Sequence, residues 1–213
     1  NKRIFTIENG SRELALVREQ DGKVTNSVVH TLTRFSENEK QNIDQDMLLD
    51  MALRFNPEII CVGEMRSSEA YTAQESARTG HTVLTTIHSN SCESTYSRMR
   101  TLCKRKYDMD DEVLMDLVTE AFPIIVFAKQ LENKKRRLME IMECEITKEG
   151  ERKFNPLFRY EITENRMEGD SYIIKGAHKR VCGISEGLKK RFLENGMPKD
   201  VLSRITEGGG MTC

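Results

Sequence analysis

The sequence predicts an α/β domain organised around a mainly parallel sheet, followed by antiparallel hairpins and a helical C-terminal tail. Three observations carry that expectation. Strand, polar loop and helix succeed one another twice in the middle of the chain, the alternation that builds parallel sheets. Ile59-Ile60-Cys61-Val62 is an unbroken apolar run, as expected of a strand covered on both faces. Beyond Pro123 the helical spacing gives way to charged, strand-like stretches separated by turn residues.

Ile4-Phe5-Thr6-Ile7 is short and β-rich, and Glu8-Asn9-Gly10-Ser11 supplies the turn chemistry that ends it. Asp21-Gly22 marks another turn, and residues 28–35, rich in Val, Thr and Leu, form a further extended piece. From Asn42 the apolar period lengthens. Ile43, Met47 and Met51 fall at i, i+4, i+8 with Leu48 and Phe55 beside them, marking an amphipathic helix that Asn56-Pro57 stops. The run 59–62 ends at Gly63-Glu64, and Ser67 or Ser68 caps a helix running to about Arg78, with Gly80 as its stop. A strand over 82–87 ends at His88-Ser89-Asn90, where Asn90 and Glu93 form an approximate capping pair for the next helix.

A helix over 111–121 carries Val113, Leu114, Leu117 and Val118 on one face, and Pro123 opens the apolar stretch 124–127. Lys134-Lys135-Arg136-Arg137 reads as a solvated hairpin tip before a strand over 138–146, and a turn at Glu149-Gly150 precedes another strand over 154–162. From Gly183 the chain is helical again, with Leu188, Phe192 and Leu193 ahead of Gly196. Pro198 starts a short last helix, and Gly208-Gly209-Gly210 reads as a frayed end. The expected division is a core over 1–165 and a helical tail over 166–213.

Composition narrows the function classes. The chain has 213 residues, against a prior of roughly 150 per domain. Lys plus Arg total 33 against 34 Asp plus Glu, so the net charge of -1 makes no whole-chain case for a polyanion partner. No run approaches the ~18 apolar residues of a membrane span, and Asn1-Lys2-Arg3 opens no signal-peptide core, so a soluble cytosolic protein is the expectation. The six cysteines include no C-x-x-C pair, which argues against a structural zinc or thioredoxin-type site; all read as reduced thiols. Absence of Trp and 6% aromatics leave few platforms for stacking nucleic-acid bases.

The residues that carry chemistry fall at strand ends. Glu64 follows the buried run, where an acid can order a Mg²⁺-bound water or accept a proton from water attacking a phosphate. Arg66, two residues on, offers a guanidinium to phosphate oxygens. His88 closes the neighbouring strand and can link a carboxylate or water to a transferring phosphoryl group, while His81, at that strand's start, reads as structural. Glu8 is a third polar group at the same edge. Each taken singly has an ordinary structural reading. Together they suggest a nucleotide or phosphate site. The usual phosphate cradle, G-x-x-x-x-G-K-[S/T], is absent: Gly22-Lys23 is followed by Val24 and has no glycine five residues before it.

In this order and spacing, three segments resemble the secretion ATPases of the type II and type IV secretion superfamily, most nearly the CpaF-type ATPases of tight-adherence (Flp) pilus assembly. IFTIENGSRELAL resembles that family's Asp box, NPEIICVGEMR its Walker B segment and TGHTVLTTIHSNS its His box. LMDLVTEAFPIIVFAKQL and RRLMEIMECE are similar to its distal region. The resemblance implies a partial RecA-like P-loop NTPase fold using ATP and Mg²⁺, with Glu64 as the Walker B glutamate holding Mg²⁺ through water. Gly63 stands where P-loop enzymes in general place aspartate, His88 is the His-box histidine, and Glu8 is the Asp-box acid with Asn9 in place of the usual aspartate.

It further implies a homo-hexamer at the inner face of the cytoplasmic membrane, working on pilin through membrane platform proteins and contacting no nucleic acid. Because the family's Walker A loop precedes the Asp-box strand, the chain is expected to be a C-terminal part of a longer protein, inactive alone. Two other readings stand beside this one: a non-catalytic assembly or docking module, and a conjugation-type type IV secretion ATPase.

Overall fold

The computed structural model describes residues 2–206. The expected frayed end at Gly208-Gly209-Gly210 and Cys213 lie outside the described residues. The chain divides into two compact units, one formed by Asn1–Ser89 and Thr95–Phe122, the other by Asn90–Ser94 and Pro123–Cys213.

The first unit contains β1 (Arg3–Glu8), β2 (Glu19–Gln20), β3 (Lys23–Val24), β4 (Ser27–Leu32), α1 (Gln45–Arg54), β5 (Ile59–Val62), α2 (Glu69–Arg78), β6 (Thr82–Thr85), α3 (Cys92–Cys103) from Thr95 on, and α4 (Asp111–Ala121). Four strands pair in the order β4-β1-β5-β6, all parallel, as the sequence predicts. Glu8 lies opposite Leu32, Ile7 opposite Val62, and Val62 opposite Thr85, so the carboxyl ends of β1, β5 and β6 are level. The turn between β2 and β3 is Asp21-Gly22, both with positive φ.

Phe5, Ile7, Ile60 and Val62 are buried, with Leu49 and Ala52 of α1 and Ala70 and Ala73 of α2 in the same core. The helix over 45–54 exists as its spacing requires, but the buried face is another one. Leu48, Leu49 and Ala52 face inward, whereas Met47 is 55% exposed and Met51 and Phe55 are also exposed. Two apolar rows share the i, i+4 spacing; spacing defines the helix and packing selects the row. Asp44 caps this helix through Met47 N at 2.8 Å.

The second unit is an antiparallel meander, β7 (Ile124–Gln130), β8 (Arg136–Ile146), β9 (Arg152–Glu168) and β10 (Ser171–Arg180), in the order β10-β9-β8-β7. Helices α5 (Glu186–Glu194) and α6 (Lys199–Thr206) follow. Its core is Leu157, Ile184 and Leu188, with Ile124, Ile141, Phe158 and Phe192 packed around them. The expected boundary at 165/166 therefore falls inside β9, and residues 171–180 are strand where a helical tail was expected. This last hairpin carries cross-strand ion pairs, Lys175–Glu164 (2.8 Å) and Lys179–Glu161, and its apolar residues Tyr172, Ile173 and Ile174 are adjacent, so no regular apolar alternation marks it in the sequence. The tip of the β7–β8 hairpin carries Lys134 and Lys135, while Arg136 and Arg137 already belong to β8.

Ser91 and Ser94 form the reciprocal pair at the start of α3 instead of Asn90 and Glu93: Ser94 N donates to Ser91 Oγ at 3.1 Å and Ser91 N to Ser94 Oγ at 2.9 Å. Cys61, Cys92, Cys103 and Cys144 are buried free thiols, and burial pushes Cys92 and Cys103 up to about 12. No helix among the described residues is long and apolar enough to cross a membrane.

Candidate active site

The carboxyl edge of the parallel sheet is built from the backbone outward. After β5 the chain turns through Gly63 and Glu64; after β6 it continues as Thr86, Ile87 and His88. These two segments are tied together. Met65 N donates to Thr86 O at 2.8 Å, and Thr86 Oγ1 donates to Gly63 O at 2.6 Å. The turn leading into α2 is held by Glu69, whose Oε1 accepts from Arg66 N and, at 2.7 Å, from Ser67 N. Ser68 occupies the N-cap position without a side-chain bond; the first-turn amides of Ala70 and Tyr71 are taken by the carbonyls of Ser67 and Ser68, while the buried Glu69 holds the turn ahead of the helix.

On that frame Glu64 is held between two partners. Its Oε2 accepts from Arg66 Nε at 2.5 Å and pairs with Nη2 of the same guanidinium, while its Oε1 lies 3.1 Å from His88 Nε2. The Glu64 side chain is 19% exposed and His88 is 87% exposed, so the carboxylate is sheltered and the imidazole open to solvent. The hydrogen bond and charge of Glu64 hold Arg66 above the ordinary guanidinium range. Arg105 Nη1 reaches the carbonyl of Arg66 at 3.1 Å, fixing the turn from the far side. The structure thus gathers Glu64, Arg66 and His88 into one cluster.

Glu8 stands level with them on the neighbouring strand but is differently engaged. It is 3% exposed. Its Oε1 accepts from Glu13 N at 2.5 Å and Leu14 N at 2.8 Å, and its Oε2 lies 3.5 Å from Thr6 Oγ1 and 3.9 Å from His30 Nδ1. Thr6 Oγ1 and His30 Nδ1 are 2.9 Å apart. Burial, then the charge of Arg12, lowers the His30 pKa below 6.5, with Glu8 opposing. A Cβ at Gly63 would sit 3.4 Å from Ile7 O and 3.6 Å from Glu8 Cγ, in ordinary van der Waals contact. His81, on the turn entering β6, lies away from this edge, as the sequence suggests.

Beside Arg66 a cleft of about 250 Å³ opens, lined by Asn9, Thr33, Phe35, Asp44, Ser68 and others. A larger hollow, about 320 Å³, lies by Arg100, Lys104 and Asp111 and includes none of the cluster. Among the described residues no three acids, histidines or cysteines converge as a metal cage. A donor set of one sheltered carboxylate fits Mg²⁺ only in the way that ion is bound beside phosphates, keeping most of its waters. Glu64 would hold it through water. What sequence reasoning missed are the supports: Glu69 and Thr86, detectable in hindsight from their spacing to Arg66 and His88, and Thr6 and His30, which meet Glu8 only once β1 and β4 are known to pair.

The level row of parallel strands, β4-β1-β5-β6, carries an acid, a basic side chain and a histidine at its carboxyl edge, and the fold is of the RecA-like α/β class. Residues 1–175 match the family described as Type II/IV secretion system protein, and the chain belongs to that family. Competence protein ComGA of Halalkalibacterium halodurans is 30% identical over 130 residues, covering 55% of this chain and 37% of ComGA. Conjugal transfer protein TrbB of Rhizobium radiobacter is 32% identical over 104 residues, 48% of this chain and 31% of TrbB. The chain therefore spans about a third of the length of these relatives. Among solved structures, the VirB11 ATPase from the Brucella suis type IV secretion system, in complex with sulphate, superposes with a TM-score of 0.53 at 22% identity, over 67% of this chain and 40% of that one. That likeness is one of fold.

Proposed function

We propose that the protein containing this chain is a Mg²⁺-dependent ATPase of the CpaF-type, tight-adherence pilus branch of its family, and that hydrolysis powers pilin assembly or protein export. The observation that supports this reading is the Glu64 carboxylate, held at the carboxyl edge of the sheet between Arg66 and His88. Bound Mg²⁺ supplies charge neutralisation to the phosphates. Glu64 orders the attacking water and takes its proton. His88, exposed and within 3.1 Å of Glu64, bridges that carboxylate and the phosphoryl oxygens. Arg66 exchanges its bond to Glu64 for one to phosphate, a geometry its planar fork suits.

The chain has no G-x-x-x-x-G-K-[S/T] cradle, so in this reading the residues described here contribute the catalytic wall and not the phosphate loop, and the chain alone turns over ATP poorly. The working assembly is a hexamer at the inner face of the cytoplasmic membrane, acting on pilin through platform proteins. In the full-length protein Glu64→Gln should abolish ATP hydrolysis while nucleotide still binds. Activity that survives the substitution sinks the assignment.

A second reading, a conjugation-type secretion ATPase, is favoured by the similarity to TrbB. It differs in cargo, and a steeply salt-dependent affinity of the full-length protein for DNA would select it.

A further inference from the structure

Glu8 invites a role in the chemistry because it ends a strand beside Glu64. Its surroundings point elsewhere. A carboxylate that touches phosphate, metal or attacking water presents at least one oxygen to the site. Glu8 is 3% exposed, and its Oε1 is occupied by the backbone N–H groups of Glu13 and Leu14, at 2.5 and 2.8 Å. Its Oε2 faces Thr6, which is fully buried, and His30.

We propose that Glu8, oriented by Thr6 and His30, is a positioning residue that holds the 9–14 loop beside the Arg66–Glu64 pair, and takes no part in the reaction itself. The proposal rests on the reading of Glu64 as the reacting carboxylate. The loop is near enough for Glu13 to act electrostatically on Arg66. Thr33 Oγ1 donates to Asn9 Oδ1 at 2.7 Å at one end of the loop, Glu8 accepts the Glu13 and Leu14 amides at the other, and Ser11 Oγ donates to Glu13 Oε1 at 3.3 Å within it. Asn9, Thr33 and Arg66 all line the 250 Å³ cleft. The three-residue support is internally consistent in its protons. His30 Nδ1–H donates to Thr6 Oγ1, leaving the Thr6 hydroxyl proton for Glu8 Oε2, and the buried His30 Nε2 then carries no proton that would need an acceptor.

Negative charge on Glu8 strengthens the two amide bonds but is not what positions the loop. An amide oxygen accepts the same two N–H groups. Glu8→Gln keeps that acceptor and sets its NH₂ against Thr6, whose hydroxyl rotates to accept it. Glu8→Ala removes it. A carboxylate that bound Mg²⁺ through water or moved a proton would tolerate neither substitution.

The experiment pairs two measurements on the full-length protein: hydrogen exchange across residues 9–16, and steady-state ATP hydrolysis. We expect Glu8→Gln to keep the Glu13 and Leu14 amides protected and kcat within about threefold of the parent. Glu8→Ala should speed exchange across the segment roughly a hundredfold. Loss of the loop's hold on the Arg66 pair should then lower kcat roughly tenfold or more. His30→Ala should follow Glu8→Ala in direction with a smaller effect. Two results overturn the proposal: Glu8→Gln inactive with the amides still protected, which makes the charge itself essential, or Glu8→Ala with unchanged exchange. If Glu8→Ala does not fold, the Gln and His30→Ala arms decide. Hydrolysis surviving Glu64→Gln would refute the ATPase assignment of that residue and leave the exchange result standing.

Discussion

Replacing Ser185 by alanine tests how the C-terminal helices are fixed to the meander. Glu143 is only 2% exposed, in β8, and its carboxylate is bonded by Ser185. Ser185 Oγ donates to Oε1 at 2.5 Å and Ser185 N to Oε2 at 2.9 Å, while the same hydroxyl caps α5 by accepting from Leu188 N at 3.0 Å. Ser185→Ala deletes two of these three bonds. Losing a serine N-cap costs about 1 kcal/mol. Losing a hydrogen bond to a buried charged group costs about 1.5–3 kcal/mol. Because the backbone N–H still serves Oε2, the lower part of that range applies, giving a loss of about 2.5–3 kcal/mol. In urea, with a slope of about 2 kcal/mol per molar, the transition of the unit containing α5 should move down by about 1–1.5 M. Circular dichroism follows it, and the exchange rate of the Leu188 amide identifies the unit. Ser185→Thr, which keeps the hydroxyl, should lose much less. Combining Ser185→Ala with Glu143→Leu should cost at least about 1 kcal/mol less than the sum of the two single changes, since the pair is removed together. A loss below about 0.5 kcal/mol for Ser185→Ala, or strict additivity in the cycle, would refute the latch.

Burial and Arg12 depress the His30 pKa below 6.5, so on acidification the unfolded chain takes up a proton before the folded one does; stability should be full above pH 6.5 and fall as pH drops toward the folded value. Thermal melts across that window should show a shallower acid slope for His30→Asn than for the parent. Gly176 sits at the register shift in β10, where a Cβ would collide with the carbonyl of Glu161 and the ring of Tyr160, so Gly176→Ala should destabilise the β9–β10 pairing by about 1–3 kcal/mol, read as faster amide exchange across residues 160–178.

The parallel sheet was legible because its central strand is the apolar run 59–62 and its connections follow the strand–loop–helix alternation. The same alternation placed Glu64, Arg66 and His88 together, since all three lie in the segments that follow β5 and β6. Three features were hidden, each by a different physical cause. The buried face of α1 was hidden because Ile43, Met47 and Met51 compete with Leu48, Leu49 and Ala52 at equivalent spacing, and only contact with β1 and α2 decides between them. Strand β10 was hidden because its apolar residues Tyr172, Ile173 and Ile174 run together instead of alternating, and the rest of it is fixed by ion pairs to β9. The engagement of Glu8 was hidden because its ligands are backbone N–H groups, which any sequence provides, and because His30 reaches Thr6 only through a strand pairing that spans 24 residues.

The two sheets also differ in how far apart along the chain their partners lie. In the meander Val126 pairs with Ile141 and Ser171 with Glu168, so each new strand finds its neighbour within one short excursion of the backbone. In the parallel sheet Ile4 must meet Ile59, after α1 and β4 have been threaded between them. Closing long loops before any pairing is gained slows a fold, whereas local hairpins form early. The meander is therefore the element able to organise first during synthesis or refolding, although it lies later in the chain. The β1–β5 pairing, which closes the longer loop, is expected to come into register after those hairpins.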